Sequence, residues 1–226
     1  GTYQSYISFA ITLMLMGMIV DLIHGKKFPE MLKKGIVCVG VLGVGVLVYM
    51  WLSHVIYPNI DNEPYGGVGN MGKIAIGEMP VLIARCYKRF LEYFLWKPFA
   101  FVTKTAKATN QITCALAVVL FAVVTIQRRL YRDVLSFGLL VLYCFFVPLA
   151  AAFIYFMAPE VDYSMLMLYA YVLVFVMVLA LLECCVQDWE QADQKAGWQR
   201  YAQSGLALLV VVTLSVSSYS DYLLAN

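Results

Sequence analysis

Long apolar runs separated by short polar segments set the rhythm of this chain. Six runs, 6–23, 36–57, 111–126, 134–158, 165–185 and 201–223, approach or exceed the roughly 18 residues of a bilayer-crossing helix. The third is the shortest and crosses only if its polar flank, Thr109 to Gln111, joins it. The pattern predicts an all-α polytopic membrane protein with about six transmembrane helices, forming a single membrane domain over 1–226. The first run lacks the short apolar core and small-residue cleavage site of a secretory signal, and the sequence opens on Gly1. The numbering is therefore expected to begin inside a longer protein.

The widest polar interval, 58–110, changes character midway. It opens with Pro58, Asp61, Asn62, Glu63 and Pro64, the residues of turns and irregular backbone. Across 77–95, Met79, Leu82, Ile83, Cys86, Tyr87, Phe90, Leu91 and Phe94 then recur at three- and four-residue steps. Glu78, Arg85, Lys88, Arg89 and Glu92 take the other side, and Pro80 falls where a first helical turn tolerates it. An amphipathic helix lying in the membrane interface is the expected element, with Trp96 and Phe99 at headgroup level.

Charge gives the orientation. Lys26, Lys27, Lys33 and Lys34 lie between the first two runs, and Arg128, Arg129 and Arg132 between the third and fourth. Short loops rich in Lys and Arg stay in the cytoplasm. The interval 188–200 then falls inside too, and 58–110, 159–164 and the last residues outside. A membrane crossed several times is the expected location.

Composition agrees with the pattern. Of 226 residues 62% are hydrophobic and 13% charged, against about 25% charged in soluble domains. A net charge of +2 from 16 basic and 14 acidic residues offers nothing to nucleic acid. Membrane lipids are the expected surroundings. Of six cysteines only Cys86 falls in an outer segment, so no outer disulfide is expected. The adjacent Cys184 and Cys185 lack companions at ligand spacing, so no metal and no cofactor are expected.

The stretch "GGVGNMGKI", 66–74, fits two nucleotide motifs at once. Gly67, Gly69 and Gly72 spell a dinucleotide fingerprint, and Gly67 to Lys73 a Walker A loop without its final hydroxyl. Both motifs require a buried strand before the glycines. Here a membrane helix precedes them and Ile74 stands where Ser or Thr is needed, so the nucleotide reading fails. The bland reading is a glycine-containing loop lying against the membrane.

Read longer, "YGGVGNMGKIAIGEMPVLIARCYKRF", 65–90, resembles the outer-loop signature of the bacterial and phage O-antigen glucosyltransferase family, the membrane proteins known as glucosyltransferase domain II. Gly69, Asn70, Gly72, Lys73, Ile74, Glu78, Pro80, Tyr87, Lys88 and Phe90 occupy the corresponding places, and the closing "SYSDYLLAN" resembles the family's last outward helix. The resemblance covers the C-terminal portion of such a protein. It implies glucose transfer from a polyprenyl-phosphate donor to a lipopolysaccharide O-antigen or similar surface glycan on the periplasmic face. It also implies a possible flippase partner, and a catalytic acid in a first outer loop upstream of this chain.

The chemistry of that donor selects residues. Its phosphate sits at headgroup level while its tail stays in hydrocarbon, so its protein needs interfacial cations beside an apolar groove. Lys73, Arg85, Lys88 and Arg89 are the candidates for phosphate binding, and Gly69, Asn70 and Gly72 for the loop of the site. The bland reading is contact with lipid phosphates or solvent. A carboxylate must take the acceptor hydroxyl's proton; Asp61, Glu63 and Glu78 are candidates, beside Glu160, Asp162 and Asp221. Turn chemistry explains Asp61 and Glu63 equally well, and the helix dipole Glu78.

Two other function classes remain open. Gly35, Gly40, Gly43, Gly45 and Pro148 could pack or break helices around a transporter or flippase pathway, although ionisable residues deep in the spans, the usual mark of proton coupling, are missing. The third is a non-catalytic membrane scaffold.

Overall fold

The computed structural model describes residues 2–56, 76–96, 104–157 and 169–192, together with 201, 204–212 and 215. Among them there is no strand. The helices follow in order as α1 (Thr2–Ile23), α2 (Phe28–Ile56), α3 (Met79–Leu91), α4 (Lys104–Gln127), α5 (Val134–Ala151), α6 (Ile154–Met157) and α7 (Val172–Ala192). A π-helical turn, Glu92–Trp96, extends α3, and 3-10 turns at Leu130–Arg132 and Tyr169–Tyr171 lead into α5 and α7. Residues 204–212 are helical.

Among the described residues, four stretches are long and apolar enough to cross a membrane: Tyr6–Ile23, Phe28–Val48, Lys107–Gln127 and Val134–Ala151. The third runs longer than the apolar pattern predicts because Thr109, Asn110 and Gln111 do continue its helix. The fourth stops at Ala151, short of the expected 158, after Pro148, which has no N–H to give the preceding turn. The apolar part of α7, Val172–Cys185, is shorter, and the predicted fifth and sixth runs lie partly outside the described residues.

The α1 helix is the central stave. Its Ile19, Leu22 and Ile23 are buried, and along its length it packs on α5, on the Tyr169–Tyr171 turn and on α7, while α4 packs along α7. The α2 helix lies at the edge, with Ile36, Val39, Val44, Leu47 and Trp51 exposed. A Cβ added at Gly35 would come 3.6 Å from the Tyr143 hydroxyl, but at Gly40, Gly43 and Gly45 it would meet nothing within 4 Å. Of the four α2 glycines, then, only Gly35 serves close packing among the described residues.

Local chemistry explains how the staves end. The N–H of Lys26 bonds the Asp21 carbonyl at 3.1 Å and that of Gly25 bonds Leu22 at 3.0 Å, with Gly25 at φ +84°. This is a Schellman ending, which uses glycine because the left-handed backbone strains any residue with a Cβ. The Asp21 carboxylate accepts from Lys26 at 2.9 Å and also from Lys34, tying the start of α2 to the end of α1. At the start of α5 the Ser136 hydroxyl donates to the Asp133 carboxylate at 2.6 Å, and that bond holds the acid below its ordinary range.

One arginine gathers this end of the bundle. Arg128, just past α4, donates to the Ile23 carbonyl at 3.0 Å and to the Cys184 carbonyl at 3.4 Å. The ends of α1 and α4 and the late part of α7 therefore share one level, together with the basic connections around Lys26 and Arg132. The other end of the bundle is where α3 docks.

Candidate functional site

The α3 helix forms because its sequence satisfies both of its ends. Pro80 occupies the first turn, Glu78 precedes it, and Lys88 and Arg89 fall in the last turn, where they complement the dipole. Its apolar side, predicted as one face, divides in two. Leu82, Cys86 and Phe90, with Phe94 on the π turn, are buried at four-residue steps against the bundle, whereas Met79, Ile83 and Leu91 stay exposed. The helix expected at the interface is a packed part of the core.

Two polar tethers fix it. The buried Cys86 thiol donates to the Ala152 carbonyl at 3.4 Å, and the Tyr87 hydroxyl donates to the Phe145 carbonyl at 2.5 Å. The Tyr87 and Phe145 rings also meet at 5.2 Å. Burial pushes the Cys86 thiol up to about 12, only slightly offset by the charge of Arg85, so Cys86 is an inert packing residue. Burial likewise raises the Tyr87 hydroxyl.

Beyond Leu91 the coil widens into the π turn. Such turns are rare and concentrate at functional sites. Here the widening carries Tyr93 and Phe94 into a cluster with Phe90, Tyr171 and Phe175, with ring centroids 4.8 to 6.2 Å apart. The turn's carbonyls are met by the polar flank of α4: Asn110 Nδ2 donates to Tyr93 at 3.4 Å and Gln111 Nε2 to Leu95 at 2.7 Å. What reads in the sequence as a weak start to a span is the cap of the π turn.

The polar side of α3 carries the predicted cations. Arg85, Lys88 and Arg89 are all exposed on it. Glu92 sits between two of them, 3.9 Å from the Lys88 ammonium and 3.3 Å from the Arg89 guanidinium. These i,i+4 and i,i+3 pairs are exposed and contribute little to stability. Their effect is on charge: Lys88 and Arg89 already face an anion. Glu78 is exposed at the start of the helix and makes no side-chain cap bond. Helical rise puts it about 20 Å from Glu92.

The candidates Asp61, Glu63, Gly69, Asn70, Gly72 and Lys73 lie outside the described residues, as do Glu160, Asp162 and Asp221. The structure therefore brings together Arg85, Lys88 and Arg89 and leaves Glu78 at the far end of the same helix. Sequence reasoning missed the role of Glu92, counted there with the polar face and not among the acids, although its spacing from Lys88 and Arg89 was a visible signal. It also missed Tyr171 and Asn110, each at most 2% exposed, which no local pattern marks. Among the described residues no group of three or more His, Cys, Asp or Glu side chains could hold a metal ion.

Comparison with known proteins adds one match. The family model described as Glucosyl transferase GtrII matches residues 1–182, well over half of the chain. No curated protein and no solved structure matches.

Proposed function

The chain belongs to the GtrII glucosyl transferase family, whose activity at family level is glucosyl transfer, and from that premise we propose a specific donor, acceptor and phosphate site. The donor is glucose on a polyprenyl phosphate in a bacterial inner membrane. The acceptor is a hydroxyl of a surface glycan such as O-antigen, and transfer takes place on the periplasmic side. A flippase partner would supply donor to that side.

The observation that carries this reading is the α3 helix. Its cations Arg85, Lys88 and Arg89 are exposed on one side while Met79, Val81 and Ile83 are exposed on the same element. A polyprenyl phosphate presents an anion joined to a hydrocarbon chain, and this juxtaposition matches it. The planar Arg fork can give a phosphate two parallel hydrogen bonds, and Lys88 a mobile point charge. Lys73 and the loop Gly69, Asn70 and Gly72 would complete the cradle. In the reaction the acceptor oxygen forms a bond to the glucose anomeric carbon, the bond from that carbon to the phosphate oxygen breaks, and polyprenyl phosphate leaves. The acceptor's proton passes to a carboxylate, for which Asp61, Glu63 and Glu78 are the candidates of this chain.

The test is transfer of labelled glucose from polyprenyl-phosphate glucose by the full-length protein in proteoliposomes. Arg85→Ala and Lys88→Ala should each raise KM for the donor about tenfold, the equivalent of ~1.4 kcal/mol of lost binding. Unchanged donor dependence in both would remove these residues from the phosphate site.

A further inference from the structure

Buried polar atoms in folded proteins nearly always have a hydrogen-bond partner. Among the described residues three have none: the Ser8 hydroxyl, Asn110 Oδ1 and the Tyr171 hydroxyl. They come from three different helical elements, yet they lie toward the same end of the bundle. Arg128 ties the end of α1 and Cys184 of α7 to the end of α4. Counting helical rise from that tie, Ser8 stands about 22 Å above Ile23, Asn110 about 26 Å above Gln127, and Tyr171 about 20 Å above Cys184. All three thus belong to the end of the bundle where α3 docks.

Direct contacts narrow the layer further. Asn110 already spends its amide N–H on the Tyr93 carbonyl, and the Tyr171 ring lies 4.8 Å from the Tyr93 ring. The two unpartnered groups therefore flank one residue, and that residue follows Glu92 on the polar side of α3. Tyr93 is only partly buried, so the layer is one side chain away from the outside. The α1 helix, which carries Ser8, packs on the turn that holds Tyr171.

A hydroxyl and an amide oxygen, set among aromatic rings and uncharged, suit a particular ligand chemistry. A pyranose offers hydroxyls around its rim and apolar C–H faces that rest on aromatic rings. A phosphate is served better by the exposed cations of α3, and a hydrocarbon tail would leave the polar atoms unpaired. We propose that Tyr171 and Asn110, with Ser8 at the same end of the bundle, form the sugar-binding layer of this protein. The glucosyl ring of the donor reaches it past Tyr93 while its phosphate stays with the cations of α3. This rests on the glucosyl-transfer reading above.

The experiment separates sugar from phosphate. Full-length protein in proteoliposomes is assayed with a short-chain isoprenyl-phosphate glucose as donor and with the same isoprenyl phosphate, lacking sugar, as inhibitor. Tyr171→Phe should raise KM for the donor tenfold or more, leave inhibition by the sugarless phosphate unchanged, and leave Tm equal or higher, because an unpartnered hydroxyl has been removed. A wild-type KM and kcat in that variant would overturn the sugar layer and leave the family activity standing; the hydroxyl would then be satisfied by water or by nothing. An equal loss of sugarless-phosphate inhibition would also overturn it, by placing Tyr171 at the phosphate. Absence of transfer by wild type would bring down the donor assignment and this inference with it. If Tyr171→Phe does not accumulate, donors lacking single glucose hydroxyls read the same contact on wild type. At least one should lose tenfold in KM, and full tolerance of every deoxy donor would overturn the proposal.

Discussion

The guanidinium of Arg128 lies 3.0 Å from the carbonyl oxygen of Ile23 and donates to it. A helix leaves its last carbonyls without intrahelical partners, and a side chain from a different helix fills that need here while a second nitrogen reaches Cys184. Three staves are thereby joined at one point by a residue that charge counting reads only as an orientation signal.

Replacing Arg128 should therefore cost folding stability. Hydrogen bonds from charged donors contribute about 1.5–3 kcal/mol, so Arg128→Leu is expected to lower Tm in detergent by several degrees. Arg129→Leu and Arg132→Leu, which carry the same charge in the same connection, should move it little. Equal effects of all three would mean that charge, not the carbonyl contacts, stabilises this end.

The turns on either side of that contact give a second, opposed pair of expectations. Gly25 at φ +84° has open space around a would-be Cβ, so Gly25→Ala meets no clash and reads backbone strain alone. It should destabilise by about 1 kcal/mol. Arg129 also holds a left-handed backbone, at φ 52°, and there the replacement Arg129→Gly should be neutral or slightly stabilising. Denaturant midpoints of the two variants check both, and movement in the same direction would refute the backbone account.

Glu92 makes the phosphate proposal quantitative. It faces Lys88 and Arg89, so an incoming phosphate must compete with it for both. Glu92→Gln should tighten binding of isoprenyl phosphate by roughly three- to tenfold at low salt, with the gain shrinking as ionic strength rises, and should change stability by less than about 1 kcal/mol. A collapse of glucosyl transfer in Glu92→Gln, with donor binding intact, would instead make Glu92 the base.

Cys86 predicts an alkaline limit. Its thiol titrates at about 12 in the folded chain against an ordinary value of 9.0. Between those values the unfolded chain gives up the proton and the folded chain keeps it, so stability falls as pH rises through that window and is untouched by this group below it. The extra alkaline loss should vanish in Cys86→Ala, whatever that variant's stability at neutral pH. In the folded protein at pH 8, maleimide should leave Cys86 unmodified.

Much of this protein was legible from residue order alone. Apolar runs fix helices, because a chain in hydrocarbon must pair its backbone within the segment. The four-residue recurrence from Leu82 to Phe94 fixes α3, and the residues of the outer-loop signature point to the family before any contact is seen. Runs of one kind do not say which stave touches which. The α1 and α2 helices are equally apolar on average, yet α1 is central and α2 peripheral.

The parts that make a site were decided in three dimensions. Sequence periodicity predicts an apolar face on α3, but only docking on α5 and α6 divides that face into a buried row and an exposed one. The π turn arises where Phe90, Tyr93 and Phe94 meet Tyr171, a residue far along the chain, and its carbonyls are capped by Asn110 and Gln111 from a helix not yet begun. Hydrogen bonds and ring contacts act over a few ångströms, so partners remote in sequence leave no local mark. Charge and hydrophobicity along the chain determined what could enter the membrane; packing determined which polar groups were left at its edge to bind something else.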